Sequence, residues 1–307
     1  MTTSYLSKMA KTQPKTLVKI SEEKYHDQIR SIAEDIIAHK EDKPIILVSG
    51  PSGSGKTTPA VWLEKFLDEN YVETHTLSMD NFFKPLDEEQ QRLAKEHKLD
   101  LETPERMDAE LLNEQLKNFL DYKPVTIPTF DFVTNTRVEG GEKTVLRKPG
   151  ELLILEGIHA LNPIMTGDND DFTSRIYISV RTRVTDSKGD TMHPKYVRVL
   201  RRMIRDKLFR GRLPEGTLAM LDNVTRGENL FIMPYKNRAT YEIDTFHDYE
   251  LCLYKQFLLD DTRALVEKYP FLQDVVNVLE ELESLDVKYV PEDSMMREFI
   301  GGSIFDY

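Results

Sequence analysis

The stretch "PIILVSGPSGSGKTTPAVWL", Pro44 to Leu63, constrains this chain more than any other. Ile45 to Val48 form a short continuous apolar run, the pattern of a strand buried on both faces of a parallel sheet. Glycines follow at positions 50, 53 and 55, and then residues at helical spacing. "GPSGSGKT" fits G-x-x-x-x-G-K-[ST], in which glycine freedom lets consecutive backbone N–H groups turn toward phosphate oxygens at the positive end of the next helix. Gly50, Ser52, Gly53, Ser54, Gly55, Lys56, Thr57 and Thr58 are the expected cradle for ATP. Lys56 is placed to reach the terminal phosphates and the Thr57 hydroxyl to bind Mg2+. The plain alternative, a flexible turn with no ligand, fits poorly with a motif that has a buried strand before it and a helix after it. Pro59 falls in the first helical turn, where its missing N–H is tolerated.

Further strands are expected in "VETHTLSM", "ELLILEG", "RIYISV" and "ATYEIDTF", with helices over 108–121, 195–210, 247–268 and 272–285. Such alternation predicts an α/β fold, a doubly wound parallel sheet flanked by helices. Residues 1–20 read as loosely structured. A helix is then predicted through "SEEKYHDQIRSIAEDIIAHKED", with Ser21 as its cap and Ile29, Ile32, Ile36 and Ile37 at apolar positions. The expected division is an N-terminal extension and helix over 1–42, a P-loop domain over 43–268, and a C-terminal helix and tail packed on the domain over 269–307. A partner surface is the alternative for the tail.

With 41 basic and 53 acidic residues the net charge is −12, which argues against a general nucleic-acid binder or a coat for anionic membrane. Small-molecule partners fit better. No apolar run reaches about 18 residues, the N-terminus lacks the core of a secretory signal, and the single Cys252 suits a reducing compartment. A soluble, cytoplasmic protein is expected.

Ligands of doubly wound sheets bind outside the carboxyl ends of the strands, so acidic residues there are candidates for chemistry. Asp80 in "LSMDNFFK" is placed to orient and deprotonate an acceptor hydroxyl, with a helix-capping aspartate as the bland reading. Glu156 in "LLILEG" offers a hard oxygen ligand for Mg2+, with a plain strand-end carboxylate as its alternative. From Lys195 to Arg212, eight of eighteen residues are basic. In an acidic chain this marks an anion site: Arg202 and Arg205 share a helix face, and Arg210 and Arg212 flank Gly211 as at the hinge of a lid. A solvated helix face or a nucleic-acid contact is the competing reading. His159, just beyond Glu156, reads equally as a substrate contact or a structural histidine, Cys252 reads as structural, Trp62 as core, and no histidine spacing suggests zinc.

The succession "GPSGSGKTT", "SMDNFF", "PTFDFVTNTR", "LEGIHAL", "RRMIRDKLFRGR" and "MPYKNRATYEID" resembles the uridine kinase group of the phosphoribulokinase/uridine kinase family, over roughly residues 43 to 260, and "REFIGGS" resembles the family's closing tail. The resemblance implies a P-loop kinase fold with a basic lid helix and an ATP:nucleoside 5′-phosphotransferase, working as a homo-oligomer. It makes Asp80 the catalytic base, Glu156 the acidic residue near Mg2+, and Arg202, Arg205, Arg210 and Arg212 the lid arginines. It also places Glu102 where an aspartate holds the ribose, and makes Phe83, Phe130, Phe132, Asn135 and Arg137 substrate contacts.

Two positions depart from that pattern. Phe130 stands where the family commonly has tyrosine, and Asn135 where it has histidine. Phe130 offers only stacking, so discrimination of the base is in question. Three readings follow: a uridine- or cytidine-like nucleoside kinase, a same-fold kinase for another hydroxyl-bearing metabolite such as a sugar, sugar phosphate or vitamin precursor, and a non-catalytic ATP-binding regulator. Retention of Lys56, Thr57, Asp80, Glu156 and the four arginines argues against the third.

Overall fold

The computed structural model describes residues 1–95, 102–131, 134–138, 140–167 and 170–305, with the side chains of Ala94 and Lys95 excepted. The elements that position the site are α1 (Thr3–Thr12), α2 (Pro14–Ala38), β1 (Ile45–Ser49), α3 (Thr57–Glu69), β2 (Thr74–Ser78), α4 (Ala109–Leu120), β3 (Leu152–Glu156), β4 (Thr173–Ser179), α5 (Pro194–Phe209), α6 (Leu221–Phe231), β5 (Tyr241–Asp244), α7 (Glu250–Leu265) and α8 (Leu272–Glu281).

All five strands expected from sequence pair in one parallel sheet of order β5-β4-β1-β3-β2. β1 is central, and its alternation divides the core. Ile46 and Val48 join the larger cluster with Ile29 of α2, Leu63 of α3, Leu200 of α5 and Leu251 of α7. Ile45 and Leu47 join a second cluster with Leu112, Leu116 and Phe119 of α4. Both faces are thus covered, which is why the strand reads as an unbroken apolar run rather than an alternating one.

The first twenty residues depart from expectation, because they are helical. Thr2 caps α1 by accepting from the Tyr5 N–H, and Leu6, Ala10, Leu17 and Val18 are buried. Pro14 opens α2 at a first-turn position that suits proline. Ser21 is therefore interior to α2 and caps nothing; its hydroxyl accepts the Asp248 N–H at 2.8 Å, a tertiary contact that local pattern does not reveal. Small antiparallel pairs also escaped the sequence reading, at Val125–Ile127 with Lys143–Val145 and at Phe130–Asp131 with Thr136–Arg137. Runs of two or three residues carry too little periodicity to detect.

Pro59 lies in the first turn of α3, Trp62 is core, and Cys252 is buried, its thiol pushed up to about 12 by burial. Among the described residues no helix is long and apolar enough to cross a membrane.

Candidate functional site

The loop from Gly50 to Lys56 leaves β1 and enters α3. Gly53 and Gly55 hold φ of 75° and 76°, values that side-chain-bearing residues rarely adopt. At Gly50 the obstacle is space, since a Cβ would collide with the Ile178 carbonyl oxygen of β4. Ser54 Oγ is buried with no hydrogen-bond partner among the described residues, and Lys56 makes no ion pair there. An orphaned buried hydroxyl and an unpaired ammonium beside a curled backbone fit an anionic ligand.

Arginines of α5 brace this loop from behind. Arg198 donates to the Ser52 carbonyl at 2.9 Å and forms a bidentate pair with Glu228 of α6 at 2.6 and 2.8 Å. Fully buried Arg201 donates to the carbonyls of Gly53 and Ser54 at 3.3 and 3.1 Å while gripping Glu250 through Nε and Nη2 at 2.9 and 3.0 Å. Neither residue was assigned a role from sequence, although both lie within the basic run.

The expected chemical residues gather at neighbouring strand ends. Glu156 is aligned with Val48 of β1 on one side and with Ser78 of β2 on the other. Ser78 Oγ donates to its carboxylate at 2.6 Å. Asp80 lies just past β2, in the short turn Met79–Phe82, where its own N–H bonds back to Ser78 Oγ. Asp80 is exposed, yet protein atoms crowd around its carboxylate. Lost hydration, then the charge of Glu156, push its pKa up to about 6 against the pull of Lys56. A carboxylate held near neutrality is suited to accept a proton.

The four arginines expected in a lid divide. Arg202 reaches the loop, donating to Ser52 Oγ at 2.6 Å, and Arg205 donates to Glu298 in the C-terminal tail at 3.5 Å. Burial lowers the pKa of both below the usual guanidinium value, though arginine stays charged. Arg210 and Arg212, on either side of Gly211 at φ 62°, pair with Asp206 at 3.3 and 3.2 Å. Glu102 packs against Gly227 of α6, and its charge acts on Arg202. Buried Thr58 turns its hydroxyl toward Glu298.

A second group forms one wall. Phe83 and Phe130 lie 5.7 Å apart between ring centroids, and Arg106 caps the Phe83 ring at 4.9 Å. Arg137 donates to the Phe83 carbonyl at 3.3 Å and to Asp108 at 2.8 Å, which makes it a strut as well as a candidate contact. Asn135 occupies the hairpin turn between Phe130–Asp131 and Thr136–Arg137 at φ 55°, a conformation that asparagine tolerates better than most residues. Phe132 lies outside the described residues. Buried His159 packs edge-on to Phe231 at 6.3 Å.

A family model described as "Phosphoribulokinase / Uridine kinase family" matches residues 45–252. The chain belongs to this family. It is therefore an ATP-dependent phosphotransferase. This kinase is 34% identical over 201 residues to a protein named uridine kinase from Lactobacillus johnsonii, across 64% of this chain and 84% of that one. A uridine kinase from Borreliella burgdorferi is 32% identical over 197 residues, across 64% and 83%. A solved structure from Silicibacter sp. TM1040, described as a fructose transport system kinase, superposes with a TM-score of 0.50 over 70% of this chain and 98% of its own. At 16% identity that likeness concerns the fold alone.

Proposed function

We propose that this kinase transfers the γ-phosphoryl group of ATP to the 5′-hydroxyl of a uridine- or cytidine-like nucleoside. The observation that carries the reading is the meeting of Asp80, Glu156 and Lys56 at adjoining strand ends, with Asp80 raised toward neutrality by its surroundings. The names of the relatives from Lactobacillus johnsonii and Borreliella burgdorferi support the acceptor class.

Asp80 orients the acceptor hydroxyl and takes its proton. Lys56 and the loop N–H groups hold the phosphates, and Arg202 and Arg205 stabilise charge on the oxygens during transfer. Arg210 and Arg212 exchange Asp206 for phosphate as the segment after α5 closes and excludes water. Glu102 holds the ribose, and Phe83, Phe130, Phe132, Asn135 and Arg137 shape the base pocket.

The donor set fits Mg2+. The Thr57 hydroxyl and the Glu156 carboxylate are hard oxygens, and among the described residues no group of three or more histidine, cysteine or acidic side chains is arranged to hold a metal alone. Thr57 and Glu156 would hold such a cation only together with ligands from outside the protein, as suits Mg2+. When bound, it supplies charge neutralisation on the transferring phosphate.

One observation favours a different acceptor. Phe130 is buried and has no polar group, and the left-handed turn at Asn135 gives that asparagine a backbone reason to be there. A kinase of the same fold for a sugar, sugar phosphate or vitamin precursor is the second reading. ADP release across a panel of nucleosides, sugars and vitamin precursors, with mass detection of the product and Asp80→Asn as control, separates the two. Turnover of a nucleoside to its 5′-monophosphate supports the first, and turnover of another acceptor alone supports the second.

A further inference from the structure

The chain beyond α8 returns to the phosphate loop. Val290, Met295, Met296 and Phe299 are buried, and Arg297 pins the tail by donating to the carbonyls of Pro291, Gly301, Val287 and Val290. The Met295 thioether sits so close to Gly55 that a Cβ there would collide with it. This packing delivers Glu298, with a side chain only 9% exposed, between two helices. Thr58 Oγ1 of α3 donates to one carboxylate oxygen at 3.4 Å and Arg205 Nη1 of α5 to the other at 3.5 Å. The Phe299 ring underlies Arg201 and Arg205 at 5.3 and 5.8 Å.

A buried carboxylate beside a polyphosphate site is costly, through lost hydration and through repulsion of the ligand. Its pKa rises for the first of these reasons, against the opposing charges of Arg205, Lys56 and Arg201, while Glu156 adds to the rise. The two hydrogen bonds are long, so they supply little cohesion by themselves. What they do supply is direction. Arg205 Nε has no partner among the described residues, which leaves the Glu298 contact, with the Phe299 ring beneath, to fix how that guanidinium is turned.

We propose that Glu298 is a positioning residue for phosphoryl transfer, aiming the Arg205 guanidinium at the phosphate site and tying the lid helix α5 to the phosphate-loop helix α3. The inference rests on the reading of Arg205 as a phosphate-stabilising arginine. Displacement of a charge-stabilising group by about 1 Å costs on the order of 100-fold in rate, so the effect belongs in kcat.

The test uses the full chain with its best acceptor. Glu298→Gln keeps the shape and an acceptor for Thr58 while removing the charge that holds Arg205. It is expected to lower kcat by roughly 10- to 100-fold, with KM for the acceptor within about threefold and Tm unchanged or raised. In an Arg205→Gln background the same change is expected to cost little more, because the two residues act through one contact. Glu298→Asp recovers part of the lost rate, and supplies the comparison if Glu298→Gln does not fold. Unaltered or increased kcat in a folded Glu298→Gln protein overturns the inference, as do independent, multiplying effects in the double variant. Full turnover by Arg205→Gln alone removes the role of Arg205, and the inference goes with it; impaired Arg205→Gln beside unimpaired Glu298→Gln sinks the inference and leaves that role standing.

Discussion

Ser78 and Glu156 occupy paired positions on neighbouring parallel strands, and the serine hydroxyl donates to the glutamate carboxylate at 2.6 Å. The same hydroxyl accepts the Asp80 N–H at 3.3 Å. One side chain thus links the strand that carries Glu156 to the turn that carries Asp80, and the Glu156 charge adds to the lost hydration that makes Asp80 take a proton more readily.

Replacing Asp80 by asparagine removes the proposed base with little change of shape. Turnover is expected to fall by about 10²- to 10⁴-fold while ATP affinity stays within a few fold, as read by initial rates and nucleotide titration. A variant as active as the parent takes Asp80 out of the mechanism.

The raised pKa also sets a pH profile. The base must be ionised, so kcat/KM for ATP is expected to fall as pH drops through about 6. Removing the Glu156 charge with Glu156→Gln is expected to move that limb to lower pH. The same raised pKa favours the folded state at acid pH: the contribution is fully present below about 4 and is lost as pH rises through about 6. At pH 7, therefore, Asp80→Asn is expected to raise Tm slightly while it lowers rate. A Tm that falls instead means that Asp80 is a structural anchor.

Arg201 and Glu250 are both fully buried and paired, and Arg201 donates to the carbonyls of the loop. Arg201→Ala leaves Glu250 charged and alone, and is expected to destabilise the fold by about 3–5 kcal/mol in urea unfolding. A loss under about 1 kcal/mol, the scale of an exposed pair, shows that the site admits water.

At Gly55 two obstacles coincide, a φ of 76° and the Met295 thioether. Gly55→Ala is expected to weaken ATP binding at least tenfold, a loss of about 1.4 kcal/mol. Met295→Ala added to it is expected to restore little, because the backbone conformation still disfavours a side chain. Full recovery in an ATP titration identifies Met295 as the whole obstacle.

Asn135 separates a substrate contact from a turn requirement. Asn135→Gly keeps the left-handed turn and removes the amide, so a base-reading role predicts lower nucleoside kcat/KM at unchanged Tm. Unchanged kcat/KM confines the residue to the turn. Asn135→His is expected to raise preference for uridine or cytidine, measured as relative kcat/KM.

The sequence by itself determined the five sheet strands, the phosphate loop and the placing of Asp80 and Glu156 near strand ends. Each of these is written in a local pattern: an apolar run, a glycine spacing, a carboxylate after a run. Helix α1 and the true start of α2 were less legible, since their apolar stripe is thin and faces α7 and α8, far along the chain. Only the tertiary structure decided that Ser78 links Glu156 to Asp80, that Arg201 braces the loop from behind, and that Glu298 reaches Thr58 across 240 residues. No spacing rule reports such contacts, because they depend on which faces the sheet brings together. The identity of a residue names its charge; its partners and its hydration, which set what that charge does, come from the fold.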